Sequence, residues 1–184
     1  MAGSSPQPES SPQPESSLSP ERADLLQALR QQRFFLRNTA RELTDAQAAT
    51  CSTVSELCIG GLIKHVADVE RGWADFIVDG PAEAPDHTDP AVHERHAQSF
   101  RLLPGETLAG LLATYDDVAA RTDELVRSLP DLDVSQPLPA APWFEPGARW
   151  TARRVLLHVI AETSQHAGHA DIIREAIDGA KSMG

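Results

Sequence analysis

Residues 150–178, WTARRVLLHVIAETSQHAGHADIIREAID, carry an apolar stripe that polar side chains interrupt. The apolar positions recur at the spacing of one helix face: Val155, Val159, Ile173 and Ile177. The run begins near Trp150-Thr151 and stops before Gly179, a residue type that commonly follows the last turn of a helix. The pattern therefore predicts one long amphipathic helix, from about residue 150 to residue 178, with polar groups in the middle of its inward face.

Three further segments show the same helical periodicity. The first follows Ser19-Pro20, a typical N-cap and first helical residue. The predicted helices span about residues 20–44, 59–78 and 106–129, and Pro- and Gly-containing connections fill residues 79–104 and 130–149. Asp89-Pro90 is expected to open a short helix in the first connection. No useful run alternates apolar and polar residues, so the sequence indicates an all-α fold, a four-helix bundle with long connections.

The first 18 residues differ in composition from the rest of the chain. The hexapeptide SPQPES occurs at residues 5–10 and again at residues 11–16, without one large apolar side chain. Such a segment buries too little surface to offset its chain entropy. We therefore expect a disordered tail over residues 1–18 and a single helical domain over residues 19–184.

Composition and charge exclude several classes of protein. Lys and Arg number 16 against 27 Asp and Glu, which gives a net charge of −11 and disfavours a nucleic-acid partner. There is no run of about 18 apolar residues to span a membrane, and the first twenty residues do not resemble a secretory signal. Two cysteines are too few for a disulfide framework, which suits a reducing compartment. These features predict an acidic cytoplasmic protein.

Polar side chains occupy the inward face of the last predicted helix. At about 100° per residue, Glu162 and His166 lie within about 20° of the centre of the stripe, and His158 and His169 lie at its flank. A carboxylate in an apolar interior needs a partner. Two interpretations remain open: a buried Glu162–His166 pair one turn apart, or a divalent cation held by both side chains.

His65, in the second predicted helix, favours the metal interpretation. It lies about 20° to 60° from an apolar stripe that ends at Trp73, so it also points inward. A lone histidine there is usually a core residue, but bundles build metal sites from inward side chains of facing helices. His65, Glu162 and His166 would supply three ligands and leave one coordination position open, as in catalytic zinc sites.

Two strings resemble the DinB-like superfamily of four-helix-bundle metalloproteins. GGLIKHVADVE at residues 60–70, followed by Trp73, resembles its second helix, and HVIAETSQHAGHADIIRE at residues 158–175 resembles its last helix in the actinobacterial branch. The resemblance covers residues 20–178 and implies a bundle, commonly dimeric, with a metal triad of His65, Glu162 and His166. A set of His65, His158 and Glu162 remains an alternative, and His169 is expected to orient a ligand from the second shell.

The same resemblance implies a chemistry. Several members of this family are transferases or isomerases that use the low-molecular-weight thiol of their organism, and the actinobacterial motif implies that this thiol is mycothiol. The expected function is a divalent-metal-dependent mycothiol S-transferase that conjugates or detoxifies a small-molecule electrophile, or else a thiol-dependent isomerase. Zinc is the first choice for two imidazoles and a carboxylate, and nickel and iron fit the same set. The alternative is a non-catalytic homodimeric bundle whose metal, or buried Glu-His cluster, holds two helices together.

Other residues receive structural interpretations. Cys51 and Cys58 are expected to be small core residues rather than a redox pair. His93 and His96 are expected on a solvated helical turn, and Trp143, Phe144 and Trp150 either line a substrate cleft or close the end of the bundle. Three further apolar residues of the last helix would suit a dimer contact: Leu156, Leu157 and Ile160.

Overall fold

Helices account for nearly all the regular structure in the computed structural model, which describes residues 18–82 and 89–182. The helices are α1 (Pro20–Asn38), α2 (Asp45–Ala48), α3 (Ile59–Asp79), α4 (Pro90–Ser99), α5 (Leu108–Ser128) and α6 (Ala152–Asp178). Two short strands, β1 (Ser135–Pro137) and β2 (Arg149–Thr151), precede α6. The predicted tail lies outside the described residues apart from Leu18.

The four long helices form the bundle that the sequence predicts. Helix α1 packs against α6 and α5, and α3 packs against α5 and α6, which gives a closed arrangement of four. One apolar cluster is centred on α3 and includes Leu62, Ile63 and Tyr115. A second cluster, at the other end, joins the start of α1 to the start of α6 through Leu29, Val155 and Leu156. No helix in the described ranges is long and apolar enough to cross a membrane.

Helix α1 is shorter than predicted, because the chain turns after Asn38 rather than continuing to Thr44. Thr44 begins a new helix instead: its hydroxyl accepts the backbone N–H of Gln47, while the Gln47 side chain accepts the backbone N–H of Thr44. This reciprocal arrangement is a capping box. Glu42, with a φ of 60°, reverses the chain just before it. In the sequence, Leu43 continues the apolar pattern of α1, which is why the predicted helix ran past this break.

The connection before α6 also departs from the prediction, which had no strands. Strands β1 and β2 pair antiparallel, with Ser135 opposite Thr151. Thr151 also caps α6, since its hydroxyl accepts the backbone N–H of Arg154. Three residues per strand are too few to show an alternating pattern, yet the pairing fixes where the last helix starts.

A buried ion-pair network joins three of the long helices. Arg33 of α1 donates from Nε to Glu70 of α3 at 3.2 Å and from Nη1 to Asp123 of α5 at 2.7 Å. The side chains of Arg33 and Glu70 are 6% and 0% exposed. Removing either partner would leave a buried charge unpaired, which is strongly destabilising.

Leu156 corrects one sequence interpretation, because it is 1% exposed and packs in the core rather than on the surface. Leu157 is 49% exposed and does lie on the surface. The dimer expected from this face stays a prediction.

The segment after α4 crosses the first turn of α3 at very close range. A methyl carbon at position 61 would lie 1.8 Å from the carbonyl oxygen of Phe100 and 2.7 Å from the backbone nitrogen of Arg101. The Cys58 thiol, which caps α3, accepts the N–H of Gly61 and donates to the Phe100 carbonyl at 3.7 Å. Only glycine therefore fits at position 61.

We predict that Gly61→Ala lowers the free energy of unfolding by about 3 kcal/mol, because the added methyl group meets backbone atoms that cannot yield. Gly168→Ala, on α6, is the matched control: a methyl group there meets nothing within 4 Å. It should stabilise the protein by roughly 0.5–1 kcal/mol, the usual gain for glycine to alanine inside a helix. Urea denaturation of the three proteins measures both effects, and equal midpoints would contradict the close approach.

Candidate metal centre

Three side chains from two helices converge in the groove between α3 and α6. His65 projects from the second turn of α3, and Glu162 and His166 project from successive turns of α6. One potential ligand atom from each lies within 4.8 Å of the other two. These are the three residues that the sequence predicted to face one another, and the structure brings them together.

Glu162 lies between two histidines of its own helix. Its Oε2 is 3.6 Å from Nε2 of His166, and its Oε1 is 3.8 Å from Nε2 of His158. Both distances exceed those of good hydrogen bonds, so the arrangement is not a tight internal pair. His158 is near enough to the carboxylate for the alternative ligand set to remain open.

Burial favours the neutral form of the imidazoles of His65, His158 and His166. Removal from water, followed by the neighbouring His166 and His96, lowers the pKa of His65 to about 4. Burial also lowers the pKa of His166 and of His158, although the nearby Glu162 carboxylate opposes the shift in both. Neutral imidazole is the form that binds metals.

Two buried nitrogen atoms near the centre have no hydrogen-bond partner among the described residues. Nδ1 of His166 and Nδ1 of His169 make no hydrogen bond to any part of the chain that the structure describes. The two rings lie 5.6 Å apart. Buried polar atoms are normally satisfied, so this part of the groove has unused capacity to bind a ligand or an ion. The ring of His169 thus lies beside that of His166, and the orienting role expected of His169 stays a prediction.

Aromatic rings border the three residues on both sides. Phe100 stacks on His65, with ring centroids 4.0 Å apart. On the other side, Trp73 of α3 stacks on Trp150 at 4.9 Å, and the edge of His158 contacts both rings. Sequence periodicity identified Trp73 but missed Phe100, because the latter lies in an irregular connection.

The remaining candidates occupy different surroundings. Trp150 and Phe144 contact each other near the start of α6, and Trp143 is 65% exposed. His93 and His96 lie on exposed positions of α4, as expected.

The two cysteines differ in exposure. Cys58 is buried, as expected for a small core residue, but Cys51 is exposed, which corrects that interpretation because it precedes α3 in an irregular segment. The pKa of Cys51 is nevertheless raised, first because its sulfur is partly shielded from water and then because Cys58 lies nearby.

Comparison with solved structures supports the fold. The chain resembles the crystal structure of a conserved protein from Enterococcus faecalis, with a TM-score of 0.65 and 15% sequence identity. The match covers 86% of this chain and 97% of that one. At this identity the likeness establishes the shared architecture alone.

Comparison with family models is more specific. No curated protein matches the chain significantly. The model that describes the mycothiol-S-transferases matches residues 24–179, which include all four long helices apart from the first residues of α1. That span contains His65, Glu162 and His166. The chain therefore belongs to the mycothiol-S-transferase family, a DinB-like family.

Proposed function

We propose that this protein is a divalent-metal-dependent mycothiol S-transferase in which His65, Glu162 and His166 hold the metal. The observation that carries the proposal is the convergence of three donor atoms, from two helices, within 4.8 Å of one another. Membership of the mycothiol-S-transferase family supports the thiol as cosubstrate. The acceptor would be a small electrophile.

The donor set suits a divalent transition metal. Zinc bonds to imidazole nitrogen and carboxylate oxygen are about 2.0–2.2 Å long. The 3.6 Å between Glu162 and His166 is therefore already close to the separation of two ligands on one ion. Two imidazoles with one carboxylate favour zinc, and nickel or iron also fits.

Three protein ligands leave a coordination position for the cosubstrate. A bound divalent ion favours the thiolate form of a coordinated thiol, whose ordinary pKa is about 8.5. Burial lowers the pKa of His65 and of His166, which favours the neutral imidazoles that coordinate metals. In the reaction, a carbon–sulfur bond forms to the electrophile, and the thiol proton passes to the adduct or leaves with the displaced group. Trp73 and Trp150 border the groove where the electrophile would approach.

The first prediction concerns metal content. Elemental analysis of the purified protein should find about one divalent ion per chain, and His65→Ala and His166→Ala should each lose it, since each removes one of three ligands. His93→Ala removes an exposed histidine of α4 and should keep the ion. Circular dichroism of each variant checks that the helices are retained.

Other outcomes of the same measurement lead elsewhere. If the wild-type protein holds no metal, the metal proposal is wrong and Glu162 and His166 form a metal-free polar cluster. If both single variants keep the ion and so does each variant combined with the replacement of His158, the ion is bound elsewhere and the proposed site is wrong. An ion lost only when His158 is also replaced, with no exchangeable position for a thiol, would support the structural alternative, a non-catalytic bundle. His158 lies 3.8 Å from the carboxylate, near enough to close such a site.

A second prediction concerns turnover with mycothiol and an aryl halide such as chlorodinitrobenzene. The metal-loaded protein should accelerate the conjugation, and His166→Ala should lower the rate by more than the roughly 10–100-fold typical of losing an outer-shell partner. Chelation should abolish the activity and added zinc should restore it. Equal rates with and without the metal would refute metal dependence while leaving the thiol assignment intact.

A third prediction uses the depressed pKa of His65. Its imidazole has a pKa of about 4 in the folded protein against an ordinary 6.5, so the unfolded chain binds more protons between these pH values. The contribution of the neutral His65 ring to the stability of the metal-free protein should be fully present above pH 6.5 and should be lost as the pH drops towards 4. His65→Gln should reduce this slope in urea titrations run with a chelator, with His93→Gln as the exposed control. An unchanged slope would show that His65 is not desolvated.

A further inference from the structure

Phe100 is the side chain that lies flat on the proposed ligand from α3. It follows the last residue of α4, and its ring stacks on His65 with an interplanar angle of 25° and centroids 4.0 Å apart. The same ring lies 6.3 Å from His166, and His96 meets it edge-on at 5.3 Å. Phe100 is thus in contact with one proposed ligand and adjacent to a second.

The backbone of Phe100 is held from the helix that carries His65. Its carbonyl lies against Gly61, one turn before His65, and accepts a hydrogen bond from the thiol of Cys58. Just beyond, Lys64 pairs with Glu106 at 2.9 Å. The carboxylate of Glu106 also accepts the backbone N–H of Leu103 at 2.7 Å. The segment from residue 100 to residue 106 is therefore fixed to α3 at several points around the ligand.

A metal-binding histidine needs its ring held at one rotation. The usual device is a hydrogen bond from the second ring nitrogen to a carboxylate or carbonyl, because the terminal torsion of histidine is otherwise broad. No hydrogen bond to the His65 ring occurs among residues 18–82 and 89–182. Two ring contacts border the imidazole: the edge-on contact with His166, with centroids 4.9 Å apart, and the flat contact with Phe100. The flat contact restricts the rotation of the His65 ring, since turning the imidazole would drive its edge into the phenyl face.

We propose that Phe100 is a positioning residue of the metal centre, whose ring sets the orientation of His65 and whose own position is set by the close approach at Gly61. The inference rests on the proposed metal site and adds to it a residue outside the two helices that supply the ligands. It also assigns a purpose to the glycine at position 61, which admits the segment carrying Phe100.

The test compares side chains with and without a flat ring at position 100. Phe100→Leu keeps an apolar side chain but removes the flat face, and it should weaken zinc binding about tenfold in competition with a chromogenic chelator, the lower end of the loss typical of orienting partners. Phe100→Tyr restores a flat ring and should bind as the wild type does. Phe144→Leu is the matched control, because Phe144 is also half-buried but contacts none of the three ligands.

A spectroscopic measurement separates positioning from general loss of structure. The visible absorption of the cobalt-loaded protein reports the geometry of the ligands, and it should change in Phe100→Leu but not in Phe100→Tyr or Phe144→Leu. Thermal melts of the metal-free proteins show whether the fold is retained; if Phe100→Leu does not fold, Phe100→Met gives the same comparison.

The outcomes distinguish the two proposals. A wild-type protein without metal affinity overturns both. A wild-type protein that binds zinc, together with Phe100→Leu of equal affinity and unchanged cobalt spectrum, overturns the role of Phe100 alone. Weaker binding in Phe100→Leu that Phe100→Tyr does not rescue would also overturn it, because the flat ring would then not be the cause.

Discussion

The buried guanidinium of Arg33 constrains the arrangement of three long helices. It binds Glu70 of α3 and Asp123 of α5, so none of these helices can rotate without leaving a charge unpaired in the core. His65 precedes Glu70 by five residues, which places the two side chains about 140° apart around α3. Fixing Glu70 towards the middle of the bundle therefore turns His65 towards the groove with α6. The orientation of the proposed metal centre therefore depends on the Arg33–Glu70 ion pair, although neither of these residues is a proposed ligand.

The sequence predicts the helices that carry the proposed ligands better than it predicts the segments between them. Helices α3 and α6 have long apolar stripes, and a polar residue within a stripe is conspicuous, which is why His65, Glu162 and His166 could be identified. Phe100 could not, because its place depends on how an irregular segment crosses α3. The end of α1 was misjudged for a related reason: Leu43 continues the apolar pattern while the capping of Thr44 breaks the helix.

The groove combines two environments along α6. Towards the end of α4, aromatic and imidazole rings pack closely around His65 and His166. Towards the start of α6, Trp73 and Trp150 form an apolar wall that His158 contacts with its edge. Glu162 lies at the boundary between the two and faces a histidine on each side. This asymmetry suits the proposed site, in which one end would hold the metal ion and the other would receive the organic substrate.

The placement of the two cysteines bears on the durability of the protein. A catalyst that joins thiols to electrophiles is exposed to alkylation by the compounds it handles. Cys58 is 1% exposed, and its sulfur is engaged with Gly61 and Phe100, so reagents in solution do not reach it. Cys51 is exposed, but its raised pKa keeps it as the poorly nucleophilic thiol. The chain thus presents little thiolate of its own, which would protect an enzyme with the proposed activity from alkylation by its own substrate.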